Sequence, residues 1–138
     1  MDDWAGRPHN YCKPVAKFHK DRDALWNVIK NGNSKFFLGS DSAPHTVDKK
    51  ECCCPAAGVF TSPILLPLLA HYFELHGCLD RLPNFISHFG TSFYGLAVNE
   101  KTVQLIKKDL HIPKVFFESE HSVVPFKAGE IVSWSLVH

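Results

Sequence analysis

Asp41 and His45 lie four residues apart in the stretch Lys35–His45, which reads KFFLGSDSAPH. A carboxylate can take a proton and return it, and an imidazole can do the same or hold an anionic group. The pair follows an apolar run, Phe36-Phe37-Leu38, that stops at Gly39. Reactive side chains of (β/α) barrels sit at that place, just past the C-terminal end of a strand. A plain turn is the alternative, because Asp41-Ser42 also reads as an Asx-turn with His45 as an ordinary loop histidine. The residues alone leave both readings open. Cys52-Cys53-Cys54 is a third candidate, for metal. Cysteine-zinc sites usually leave two residues between ligands so that both thiolates reach one ion. Consecutive cysteines are better explained as small residues filling a tight loop. His71 and His76 are five apart, a spacing that does not place both on one helix face, and read as structural. His9, His19, His88, His111, His121 and His138 show no pairing pattern.

The elements around these residues follow from periodicity and punctuation. Phe36-Phe37-Leu38 is apolar on both faces, as a strand of a helix-covered parallel sheet would be. Residues 4–20 read as loop. Asp21 or Asp23 caps a helix that carries Ala24, Leu25, Val28 and Ile29 on one face and closes at Asn31-Gly32. Residues 40–60 read as loop. Ser62 caps a second helix with Pro63 at its first position, Pro67 bending its start and Gly77 closing it. A third helix spans 79–89 and ends at Gly90, and Ser92 caps a short turn holding Phe93 and Tyr94. Residues 103–106 look half extended, and 123–136 read as strand, tight turn and strand. Phe36, Phe37, Phe60, Phe73, Phe85 and Phe89 are assigned to the core. One buried strand cannot form a sheet alone, so the chain reads as a piece of an α/β barrel.

Composition narrows the function classes. The chain has 138 residues, suited to one domain, and 45% are hydrophobic. Lys plus Arg total 15 against 14 Asp plus Glu, which lacks the basic excess of an electrostatic nucleic-acid binder. No apolar run approaches the roughly 18 residues that suggest a membrane span. The first ten residues lack the apolar core of a signal peptide. Five cysteines, an odd count with three in a row, fit free thiols in a reducing compartment, hence the cytoplasm.

Five stretches carry a family resemblance: GRPHNYCKP (6–14), FFLGSDSAPH (36–45), KKECCCPAAGVFTSP (49–63), FYGL (93–96) and VPFKAGEIVSWS (124–135). In this order, over nearly the whole chain, they resemble the single-function dihydroorotases of bacteria, fungi and plants, with a fungal source expected. The resemblance implies the C-terminal part of a (β/α)8 TIM barrel of the amidohydrolase type, followed by a small β extension. It implies reversible cyclisation of N-carbamoyl-L-aspartate to L-dihydroorotate in pyrimidine biosynthesis. It also implies two zinc ions bridged by a carboxylated lysine and a hydroxide. Asp41 matches the family's proton carrier, which also contacts one zinc. His45 matches the histidine that holds the substrate carboxylate. Lys13 and Ala57 match positions that contact substrate largely through the backbone.

Departures from the family pattern are visible. Ser40 stands where threonine is common, and Lys13 where some members are apolar. The Cys52–Ala56 loop replaces a more mixed one. The family's HxH zinc pair is absent, and 138 residues fall short of the 200 or more that a complete barrel takes. The expectation is a chain of residues 1–138 that forms the last part of the enzyme, inactive alone, with the other zinc ligands upstream and Met1 internal or introduced. A partner would be the missing N-terminal half or a second copy in a homodimer, with a small-molecule substrate and neither nucleic acid nor membrane. A non-catalytic fragment serving as a subunit or interaction module is the competing class, and a small cysteine-zinc module is the third.

Overall fold

The computed structural model describes residues 6–15, 18–117, 119 and 121–137. Four residues of the expected 4–20 loop and His138 lie outside them. The helices are α1 (His19–Lys30), α2 (Val47–Lys50), α3 (Leu65–Leu75) and α4 (Phe89–Tyr94). The strands are β1 (Leu105–Ile106), β2 (Leu110–His111), β3 (Ile131–Val132) and β4 (Ser135–Leu136). The chain divides into two compact units, one from residues 1–16, 40–65 and 111–131, the other from 17–39, 66–110 and 132–138. The fold is α/β with short strands, which among the described residues form two separate two-stranded sheets, β1 with β4 and β2 with β3, and no closed barrel. Among the described residues no helix is long and apolar enough to cross a membrane.

In the second of these units, α1 starts before the predicted caps. Phe18 holds the cap position, and its N–H donates to the Asp21 carboxylate at 3.1 Å. Asp21 therefore lies in the first turn, where a negative charge faces the positive end of the helix dipole. The far end closes as expected. Gly32, at φ +68°, lets its own N–H reach the Ile29 carbonyl at 2.9 Å and the Asn33 N–H reach Val28 at 3.4 Å, a Schellman closure. Gly77, at φ +66°, does the same work after α3. Ala70, Phe73, Cys78 and Leu82 form the buried centre, packed by Trp26, Ile29, Leu69, Phe85, Ile86, Leu105 and Trp134. Trp26 meets Phe73 edge-on at 5.3 Å and stacks on His76 at 3.9 Å. β1 and β4 pair antiparallel, with Leu105 opposite Leu136 and Ile106 opposite Ser135.

Two expectations in this unit are corrected. Residues 35–39 are not a buried strand of a sheet: Leu38 donates to the Phe85 carbonyl at 3.0 Å, and Phe36 is 38% exposed. No strand among the described residues lies beside it, so its backbone cannot build a ladder. Gly90 does not end the third helix. The chain runs from a 3-10 turn at Leu79–Arg81 through a π-helical turn at Asn84–His88 into α4, and Gly95 at φ +65° is the stop. Ser92 lies inside α4 rather than capping a turn. Gly90 is there for closeness, since a Cβ on it would sit 3.2 Å from the Phe37 ring.

In the first unit the predicted 40–60 loop contains α2 and a parallel bridge from Ser42 to Val59. Ser62 is not a cap. It belongs to a 3-10 turn, Ser62–Ile64, that leads into α3. The Thr61 and Ser62 N–H groups, left over at the turn's start, both donate to the Ser42 hydroxyl at 3.1 Å. The expected strand–turn–strand over 123–136 is also absent as a hairpin. Val123 pairs antiparallel with Phe116, and Pro125 pairs in parallel with Phe60. Proline lacks an N–H, which fits it to an edge and not to an interior ladder. The chain then turns at Lys127 and Gly129, both with positive φ.

Candidate functional site

All four residues singled out by the sequence, Lys13, Asp41, His45 and Ala57, fall in the first unit. Asp41 is exposed and sits in the left-handed region at φ +41°, which Asp tolerates better than most residues. Its neighbours on both sides are tied down at one place. The Ser40 carbonyl accepts from Thr61 Oγ1 at 3.5 Å, and the Ser42 hydroxyl accepts from the Thr61 and Ser62 N–H groups. A short turn clamped at both ends presents the carboxylate outward.

His45 is half-buried, and its Nε2 lies 3.1 Å from the Ala57 carbonyl. A carbonyl only accepts, so Nε2 carries a proton. Nδ1 remains for a ligand, and to donate to a carboxylate the ring must take up a second proton. His45 and Ala57 are thus brought together, whereas no hydrogen bond or ion pair joins Asp41 to the other three. Gly58 is packed tightly behind them. At φ +152°, it would place a Cβ 2.6 Å from the Ala43 carbonyl oxygen and 2.9 Å from His45 Cδ2. Only glycine admits this approach of backbone to imidazole. Lys13 is exposed.

Sequence reasoning passed over Lys50. It is 2% exposed, and its ammonium donates to the carbonyls of Tyr11 at 2.9 Å, Ala56 at 2.8 Å and Gly58 at 2.7 Å. The ring of Tyr11 lies 5.7 Å from Nζ. Burial pushes the Lys50 pKa below the usual lysine value, with Cys12 opposing the shift. Three carbonyl dipoles use all three of its N–H donors, which makes a buried cation tolerable without a carboxylate.

His9 is paired, its Nε2 lying 2.8 Å from the Glu51 carboxylate. His71 and His76 are structural: His71 Nδ1 lies 2.9 Å from the Ser133 hydroxyl, and His76 stacks on Trp26. The Cys52-Cys53-Cys54 run is exposed rather than filling space, and all five cysteines are free thiols. Among the described residues, no three His, Cys, Asp or Glu side chains are grouped so as to hold a metal ion. A separate cavity of about 470 Å³ is lined by Gly6–Asn10 and Val124–Glu130 and contains none of Lys13, Asp41, His45 and Ala57.

Comparison with known proteins gives a consistent picture. No family model matches the chain. It is 46% identical over 130 residues to the dihydroorotase of Alcanivorax borkumensis, covering 94% of this chain and 38% of that protein. It is 48% identical over 129 residues to the dihydroorotase of Ruegeria pomeroyi, covering 93% of this chain and 37% of that protein. The crystal structure of Saccharomyces cerevisiae dihydroorotase with 5-fluoroorotic acid superposes with a TM-score of 0.91 at 41% identity, over 99% of this chain and 39% of that one. Campylobacter jejuni dihydroorotase gives a TM-score of 0.85 at 38% identity, over 99% of this chain and 40% of that one. The chain thus resembles a fragment of bacterial- and fungal-type dihydroorotase and spans about 38% of the length of the curated relatives it matches. Relatives in bacteria and yeast alike do not single out a fungal source.

Proposed function

We propose that residues 1–138 act as the C-terminal part of a zinc-dependent dihydroorotase, a (β/α)8 amidohydrolase that interconverts N-carbamoyl-L-aspartate and L-dihydroorotate. The observation that supports this most is the turn clamped around Asp41 beside a peptide fixed on His45, in a segment that resembles dihydroorotase throughout. Ring closure moves one proton off the nucleophilic nitrogen and one onto departing oxygen, and ring opening reverses both transfers. Asp41, exposed on its turn, is the group that carries that proton. His45 and the Ala57 backbone hold the substrate carboxylate, the imidazole through Nδ1 and the peptide through its N–H, with the Lys13 backbone beside them.

The described residues do not supply a set of donors for a two-zinc centre, so its other ligands would come from an N-terminal portion or a partner. Five free thiols support a reducing, cytoplasmic setting. The test joins this chain to the N-terminal part of a relative and assays L-dihydroorotate turnover. Asp41→Ala should lower turnover in both directions by at least about 10²-fold while circular dichroism stays unchanged. Turnover retained within about tenfold would remove Asp41 from the role given to it.

A further inference from the structure

The three carbonyls on Lys50 come from two segments: Tyr11, 39 residues before it, and Ala56 and Gly58, 6 and 8 residues after it. Ala57 lies between the last two, and its own carbonyl goes elsewhere, to His45. Peptide planarity explains why. In a trans peptide the C=O and the N–H point in opposite directions. The Ala56 C=O points at Lys50, so the Ala57 N–H points away from it. The Gly58 N–H donates to the Tyr11 carbonyl at 2.9 Å, on the Lys50 side, so the Ala57 C=O also points away, onto the imidazole. Both polar groups of Ala57 are thereby turned to the His45 side, and the ammonium is the common anchor of the two segments that set them.

We infer that Lys50 is a positioning residue: its buried ammonium, seated on the carbonyls of Tyr11, Ala56 and Gly58, aims the Ala57 peptide and the His45 imidazole at the substrate carboxylate. This rests on the proposed dihydroorotase reading for the identity of the ligand, though not for the geometry. The ammonium has no free donor left for substrate. It acts by holding backbone.

The experiment has two arms in the chain joined to a relative's N-terminal part, with Lys50→Met, which keeps the stem and loses the donors, and Lys50→Arg, which keeps the charge and loses the three-way geometry. In the kinetic arm, both variants should raise KM for L-dihydroorotate by about tenfold or more and change kcat far less, because ligand orientation is lost and the proton carrier is not touched. An unchanged KM in both variants would overturn the inference. In the NMR arm, adding L-dihydroorotate to the unsubstituted protein should shift the Ala57 amide and the His45 ring and leave the Lys50 ammonium protons protected from exchange. A ligand-induced loss of that protection would show that Lys50 meets the substrate itself and would also overturn it. The second arm needs no variant to fold. If the unsubstituted protein neither turns over nor binds L-dihydroorotate, the dihydroorotase reading fails. The positioning role is then decided by whether Lys50→Arg moves the His45 ring signals, as expected, or leaves them in place.

Discussion

Gly58→Ala is the sharpest probe of the site's construction. The added methyl would lie 2.6 Å from the Ala43 carbonyl oxygen, 2.7 Å from Ala43 Cβ and 2.9 Å from His45 Cδ2, all closer than real contacts allow. Two of these partners are fixed by the Ala43 backbone, whose N–H donates to the Val59 carbonyl at 3.0 Å, so the strain cannot be relieved by swinging a side chain. Backbone strain at a position that glycine alone adopts costs about 1–3 kcal/mol. Forcing a methyl into filled space costs about 1–3 kcal/mol more. The Ala43 amide is a local reporter, since its exchange with deuterium requires this packing to open. A loss of about 2 kcal/mol, the low end of the sum, should speed that exchange by about thirtyfold. Adding His45→Ala to Gly58→Ala removes one of the three clashes and should recover only a minor part, because the carbonyl contact remains. Ala43 exchange that is unchanged in Gly58→Ala, or fully restored by His45→Ala, would refute this account of the packing.

Other consequences can be measured separately. On the proposed function, His45→Ala in the chain joined to a relative's N-terminal part should raise KM for L-dihydroorotate by about ten- to a hundredfold with a smaller change in kcat, the loss of one charge-assisted hydrogen bond, checked by steady-state kinetics. His76 has its pKa lowered, first by burial against Trp26 and then by Lys30 and Arg22, so the unfolded chain binds its proton more readily. Stability should therefore be full above the ordinary value of 6.5 and fall as the pH drops below it, and His76→Phe should flatten that slope in urea titrations followed by tryptophan fluorescence. Phe73, 1% exposed, should cost about 3–5 kcal/mol as Phe73→Ala, read from the same titrations.

What the sequence made legible was local. Gly32 and Gly77 close helices through bonds to residues within five positions, so their pattern is complete in the sequence. Asp41 and His45 could be singled out because a carboxylate and an imidazole past an apolar run are conspicuous. Gly90 misled for the same local reason: its role is contact with Phe37, 53 positions away, and sequence spacing gives no sign of a partner at that distance. Phe36-Phe37-Leu38 misled because apolarity on both faces shows what a segment could pair with, not whether neighbours are there. Lys50 was hidden most thoroughly. Lysine is the residue least expected inside, and the carbonyls that make its burial tolerable belong to Tyr11, Ala56 and Gly58, positions without a side-chain signature.

The two units are interleaved along the chain: each is assembled from three separate segments, and the polypeptide passes from one to the other at residues 16/17, 39/40, 65/66, 110/111 and 131/132. Cutting the gene at any one of these points leaves neither unit as a separate, uninterrupted piece. Neither unit is therefore a portable module that can be subcloned, swapped or fused as an uninterrupted length of chain. A single protease cut releases neither. Each must also close long stretches of the other's sequence before its own contacts form, a loop-entropy cost that non-local architectures meet in slower folding. For engineers, the smallest exchangeable unit of this protein is the whole stretch.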